Sequence, residues 1–67
     1  MKKPSKLEIA RRMAGISQDE LAQRCGISRT TISEVETGKS SPSCYTMLAI
    51  CRALGKTLND LFWEEQL

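Results

Sequence analysis

Ser17-Gln18-Asp19-Glu20-Leu21-Ala22-Gln23-Arg24-Cys25-Gly26-Ile27-Ser28-Arg29-Thr30-Thr31-Ile32-Ser33-Glu34-Val35-Glu36-Thr37-Gly38 is the stretch that decides the fold of this chain. It reads as two short helices, near 18–25 and 29–37, each with its own start and stop signal. Ser17 and Glu20 have capping-box spacing, in which the hydroxyl accepts a first-turn N–H and the carboxylate reaches back to the cap. Gly26 follows the last apolar residue, Cys25, and suits the left-handed position after a helix. Ser28 caps the second helix and Gly38 ends it. Two helices separated by so few residues cannot lie antiparallel. They must cross steeply, in helix-turn-helix geometry, and the second then projects outward.

Outward from this stretch the same signals recur. Ser5-Lys6-Leu7-Glu8 is a second capping box and opens a helix near 5–14, with Leu7, Ala10 and Ala14 on one face and Gly15 ending it. Lys39-Ser40-Ser41-Pro42 is a turn-rich loop. A longer helix near 43–54 carries an apolar stripe of Met47, Ile50, Cys51 and Leu54, and Gly55 terminates it. Thr57-Leu58-Asn59-Asp60 is a capping box with Asp in the acidic position, and it opens a short helix near 58–63. No stretch alternates like a strand, and none repeats. The expected fold is all-α, a compact five-helix domain spanning 1–67.

Composition narrows the function. A chain of 67 residues makes one small domain, and at this size only about 60% of the unfolded surface is buried on folding. An apolar fraction of 40% with only three aromatic residues suits a bundle built on aliphatic side chains. No apolar run approaches the roughly 18 residues of a membrane span. The basic start, Met1-Lys2-Lys3-Pro4-Ser5-Lys6, is not followed by a signal-peptide core. The expectation is a soluble, cytoplasmic protein without membrane contact. Cys25, Cys44 and Cys51 are odd in number and form no C-x-x-C, and the chain has no histidine, so neither a disulfide set nor a metal site is expected. Each cysteine is read as a small core residue. Without histidine, a phosphate loop or a metal cluster there is no plausible general base, so no enzyme and no cofactor are expected.

Net charge is +2, unevenly spread: residues 1–39 carry eight Lys/Arg against five Asp/Glu, and residues 40–67 carry two against three. The basic side coincides with the two-helix motif. On a wheel of the helix near 29–37, Ile32 and Val35 face one way, while Thr30, Ser33, Glu34 and Thr37 face the other and Arg29 projects from the N-terminal edge. Small polar side chains around a few hydrogen-bonding groups permit close approach to base edges in a DNA major groove. Arg bonds guanine O6 and N7, Glu accepts from cytosine N4, and Thr offers both a hydroxyl and a methyl. The plainer reading of such a face is solvation.

Ile16-Ser17-Gln18-Asp19-Glu20-Leu21-Ala22, Ile32-Ser33-Glu34-Val35-Glu36-Thr37-Gly38-Lys39, Pro42-Ser43, Ala53-Leu54-Gly55 and Leu58-Asn59-Asp60-Leu61-Phe62 together closely resemble the Cro/repressor-type (XRE) helix-turn-helix family, over roughly residues 5–63. The resemblance implies a lambda-repressor-like five-helix domain that binds double-stranded operator DNA, usually as a two-fold dimer. It implies that Gln18 contacts a phosphate and buttresses the recognition helix. Arg29, Thr30, Ser33 and Glu34 match the base-reading positions. Thr37, Lys39 and Ser40 match the loop that grips the DNA backbone, partly through main-chain N–H groups. Arg11 and Glu36 match a pair that ties the first helix to the third. That pair is worth under about 1 kcal/mol if exposed, whereas breaking it costs about 3–5 kcal/mol if it is buried. The chain departs from the family pattern at Lys56, often apolar there, and at Glu34, whose negative charge sits close to phosphates.

The section containing Leu58, Phe62, Trp63 and Leu67 offers more apolar surface than a short helix can bury, and is read as the homodimer interface with Trp63 as anchor. The alternative is that Phe62 closes the core and Trp63 covers it. The functional expectation is a small repressor on a palindromic operator. The rival reading is an antitoxin or protein-interaction module of a toxin–antitoxin pair, with DNA binding secondary.

Overall fold

The computed structural model describes residues 4–62. They form five helices: α1 (Lys6–Met13), α2 (Gln18–Cys25), α3 (Arg29–Thr37), α4 (Cys44–Leu54) and α5 (Leu58–Leu61), with no strand among the described residues. Each starts at a hydroxyl. Ser5, Ser17, Ser28, Ser43 and Thr57 stand in extended backbone, and each side-chain oxygen accepts the N–H of the residue three further on. This satisfies one of the donors that every helix start leaves unpaired.

Three of the expected starts differ in detail. Ser5 and Ser43, expected as first helical residues, are caps with ψ of 163°, so α1 and α4 begin one residue later. The full reciprocal capping box closes at Thr57, where Asp60 Oδ2 also accepts the Thr57 N–H at 3.0 Å. At Ser5 and Ser17 the forward half forms, but the acidic partners turn along the helix instead. Glu8 meets Arg12 at 2.8 Å and Glu20 meets Arg24 at 2.7 Å. An arginine one turn ahead outcompetes a single backbone N–H for a carboxylate, because that pair is charge-assisted from both sides.

The α2–α3 turn closes as its glycine requires. Gly26 has φ of +72°, and Ile27 N–H returns to the Ala22 carbonyl at 3.0 Å. A Cβ at that φ would be strained. Gly38 repeats the arrangement after α3 at φ +79°.

Every helix contributes to one core: Leu7 from α1, Leu21 and Ala22 from α2, Ile32 from α3, Ile50 and Cys51 from α4, Leu61 from α5. Fully burying a Leu or Ile stabilises by about 1.5–3 kcal/mol. Helix α2 packs against both α3 and α4, and α5 lies against α1 and α4. Two apolar assignments are corrected. Ala14, expected on the α1 core face, is the exposed C-cap, and the buried position one turn from Leu7 is Arg11 instead. Cys44, expected in the core, is exposed at the start of α4, whereas Cys25 is half-buried and Cys51 buried. Along α4 the buried residues are Ile50 and Cys51, with Ala53 and Leu54 packed against the cluster. Burial raises the Cys25 thiol above its ordinary value. Burial and then the nearby Asp60 charge do the same for Cys51. A raised thiol is protonated and unreactive at neutral pH, as a packing residue should be.

Candidate nucleic-acid interface

Helix α3 has one dry side and one wet side. Ile32 is 0% exposed and Val35 packs on the core, which rotates Arg29, Thr30, Ser33, Glu34 and Thr37 outward. With Lys39 from the following loop, these six residues line one shallow hollow of about 470 Å³. Ser40 is exposed beyond its rim. A second polar hollow, of about 440 Å³, lies across the turn and contains Gln18, Ser17 and Asp19. Arg29 borders both.

A buried polar hub sets the angle of α3 relative to α1 and α2. Arg11 is 8% exposed and Glu36 is 6% exposed. The Arg11 Nε donates to Glu36 Oε2 and its Nη2 to Oε1, while Nη1 donates to the Ile16 carbonyl at 2.9 Å. Gln18 Nε2 donates to Glu36 Oε1 at 2.9 Å. One carboxylate thus receives bonds from two other helices. Among the described residues no buried side-chain nitrogen or oxygen is left without a partner. This is the condition under which a buried charge pair is tolerated.

The hub also orients the Gln18 amide. Because Gln18 gives an N–H to Glu36, its amide oxygen faces outward, where it accepts from Arg29 Nε at 3.3 Å. The amide nitrogen carries a second N–H, which suits a phosphate at the start of α2, the electropositive end of that helix. Arg29 also stands 3.8 Å from Asp19 Oδ1, an exposed pair. Sequence reading did not single out this Asp19 pair, since residues on two different helices leave no local spacing to find.

The loop after α3 is less free than the sequence implied. Thr37 Oγ1 donates back to the Ser33 carbonyl at 2.9 Å, so its proton is already used within the helix. Lys39 N–H is bonded to the Glu34 carbonyl at 2.9 Å in the helix cap.

Leu58 and Phe62 are half-buried and packed against the core cluster. Trp63 and Leu67, assigned with them to a dimer interface, lie outside the described residues. No group of His, Cys, Asp or Glu among the described residues is arranged to hold a metal ion, and no helix there is long and apolar enough to cross a membrane.

Two packed helices joined by a capped glycine turn, an outward polar helix face and an adjoining electropositive helix start define a helix-turn-helix protein. Comparison with known proteins gives the same class: a family described as helix-turn-helix matches residues 7–61. The chain is 34% identical over 62 residues to the uncharacterized HTH-type transcriptional regulator YgzD of Bacillus subtilis, covering 92% of this chain and 94% of that one. It is 43% identical over 53 residues to an uncharacterized HTH-type transcriptional regulator of Methanothermobacter thermautotrophicus, covering 78% of this chain and 77% of its relative. An HTH-type transcriptional regulator for conjugative element R391 from Providencia rettgeri is 45% identical over 42 residues, which span 63% of this chain and 20% of that protein. The chain belongs to the XRE-type helix-turn-helix family, with the lambda-repressor-like fold, and is a DNA-binding transcriptional regulator.

Proposed function

We propose that the chain acts as a small repressor, one DNA-binding domain that occupies a palindromic operator as a two-fold dimer with α3 in the major groove. The observation that carries this reading is the polar hollow on the outer face of α3, directly opposite the fully buried Ile32. In this reading Arg29, Thr30, Ser33 and Glu34 meet base edges. Gln18, Lys39 and Ser40 hold phosphates, and Thr37 adds a methyl contact at the edge. Glu34 discriminates as much as it binds, because a carboxylate near phosphates is tolerated only where a cytosine amino group offsets the repulsion. Arg11 and Glu36 do not touch DNA and hold the two reading helices in register.

The test is selection of bound sequences from a random duplex library, with affinities measured at two salt concentrations. The expected result is a palindromic motif with half-sites about 34–36 Å apart, one helical turn. Weak binding that depends only on salt, with no enriched motif, would mean phosphate attraction alone and would overturn sequence-specific repression.

A further inference from the structure

Arg29 is the first residue of α3, so its guanidinium sits at the electropositive start of its own helix. Its side chain is 65% exposed, and ordering a long exposed side chain only on binding costs affinity and precision. The structure restrains it from across the turn. Arg29 Nε donates to Gln18 Oε1 at 3.3 Å, and the same Nε stands 3.8 Å from Asp19 Oδ1. Both partners belong to the first turn of α2. Among the described residues the Nη groups of Arg29 make no hydrogen bond. Those are the groups an arginine extends to guanine O6 and N7 when it reads the base end-on. Restraint at Nε therefore leaves the reading atoms available while limiting where they point.

Gln18 owes its position to Glu36, but it is neutral. Asp19 adds a charge. The hollow at the start of α2 is lined by two carboxylates, Glu8 and Asp19. Glu8 is bonded to Arg12 at 2.8 Å, which leaves Asp19 as the carboxylate of this hollow that faces Arg29. Asp19 is 72% exposed, so the pair contributes little to folding. It also stands beside Gln18, where a phosphate is expected, and like charge there lowers affinity for any DNA. On DNA the other anion offered to an exposed guanidinium is a phosphate, and phosphate contact carries no sequence information. A carboxylate that weakens general binding yet faces the base reader is suited to discrimination.

We infer that Asp19 is a specificity-determining residue, which with Gln18 holds Arg29 through Nε for end-on reading of one guanine and keeps it off the phosphates. The role rests on α3 reading bases in the major groove, and it adds a residue outside that helix. Asp19 is a positioning residue and acts through Arg29.

The experiment uses the 67-residue chain, its selected duplex varied position by position, and a random duplex, with binding followed by fluorescence anisotropy. The parent is expected to prefer guanine at one position, and Arg29→Ala to lose that preference. Asp19→Asn is expected to reduce discrimination at that base pair about two- to fivefold and to leave the other positions unchanged. It is also expected to bind the random duplex more tightly, because a charge that repels phosphates is gone. In an Arg29→Ala background, Asp19→Asn should still tighten random binding but no longer alter discrimination. Asp19 also favours the start of α2 as a first-turn carboxylate. Loss of that purely structural effect would weaken binding at every position alike, and urea unfolding reads it separately. Discrimination unchanged by Asp19→Asn, a uniform loss across positions, or an effect that persists without Arg29 overturns the role of Asp19 and leaves the operator reading in place. A parent with no base preference overturns both.

Discussion

The two faces of α3 solve opposite problems within nine residues. The inner face, Ile32 and Glu36, is buried and fully partnered. Ile32 lies in the core, and Glu36 is shared between Arg11 and Gln18. The outer face, Arg29, Thr30, Ser33 and Glu34, lines an open hollow and is held lightly, by single bonds such as that from Arg29 to Gln18. Removing an inner group strands its partners away from water, whereas removing an outer group changes what the surface meets. The inner face is therefore where stability is concentrated, and the outer face is where specificity can vary without endangering the fold.

The sharpest way to break the inner face is Glu36→Ala. It leaves the Arg11 guanidinium buried without a counter-charge and is expected to cost about 3–5 kcal/mol, read from urea unfolding. Arg11→Met combined with Glu36→Leu should cost markedly less than either charge deletion alone, because no stranded ion remains. Ile32→Ala tests the apolar half of the same face, with an expected loss of about 2–5 kcal/mol by the same measurement. A change below about 0.5 kcal/mol for either single variant, the range of ordinary surface substitutions, would remove the contrast between the faces.

The outer face gives smaller, differently shaped effects. Arg29→Ala should leave unfolding within about 0.5 kcal/mol of the parent. On DNA it should cost about 1–3 kcal/mol and relax preference at one base pair, measured by binding to operators varied position by position. Lys39→Ala should weaken binding to all sequences alike and lower the salt slope by about one phosphate contact, read from a salt titration. Equal losses on specific and random DNA from both variants would erase the division between base reading and phosphate holding.

The smallest expected effect is at α5. The Asp60 carboxyl lies below its ordinary 3.8, chiefly through the hydrogen bond from the Thr57 backbone and then that from its hydroxyl, with Lys56 and Lys6 adding to it. A depressed carboxylate contributes stability above its unfolded value that is lost as pH falls through the folded one. Asp60→Asn should lower stability slightly at neutral pH and leave it unchanged at acid pH, so that the acid limb flattens, checked by thermal melts across pH.

Much of the motif was legible beforehand because helix boundaries are local chemistry. A hydroxyl three residues before a free N–H and a glycine able to hold positive φ are properties of neighbouring residues, and α2 and α3 begin and end where those signals stand. The outward set on α3 was also legible, since a period of 3.6 residues places Thr30, Ser33, Glu34 and Thr37 opposite Ile32. What failed locally failed for lack of neighbours. Ala14 looks like a core residue until Arg11 is seen to occupy that place. Cys44 looks like a core residue by its spacing from Cys51, and the fold leaves it exposed.

The sequence alone determined the five helices, the glycine turn and the family, because capping, helical periodicity and the left-handed positions are set within a few residues. Only the tertiary structure decided that Glu36 is the junction of three helices, that Gln18 turns its amide oxygen toward Arg29, and that Ile9 and Met13 are left facing water. Those outcomes depend on which groups from distant parts of the chain arrive together. A charge is buried, an amide oriented or an apolar side chain left uncovered according to its spatial neighbours, and no spacing along the chain records them.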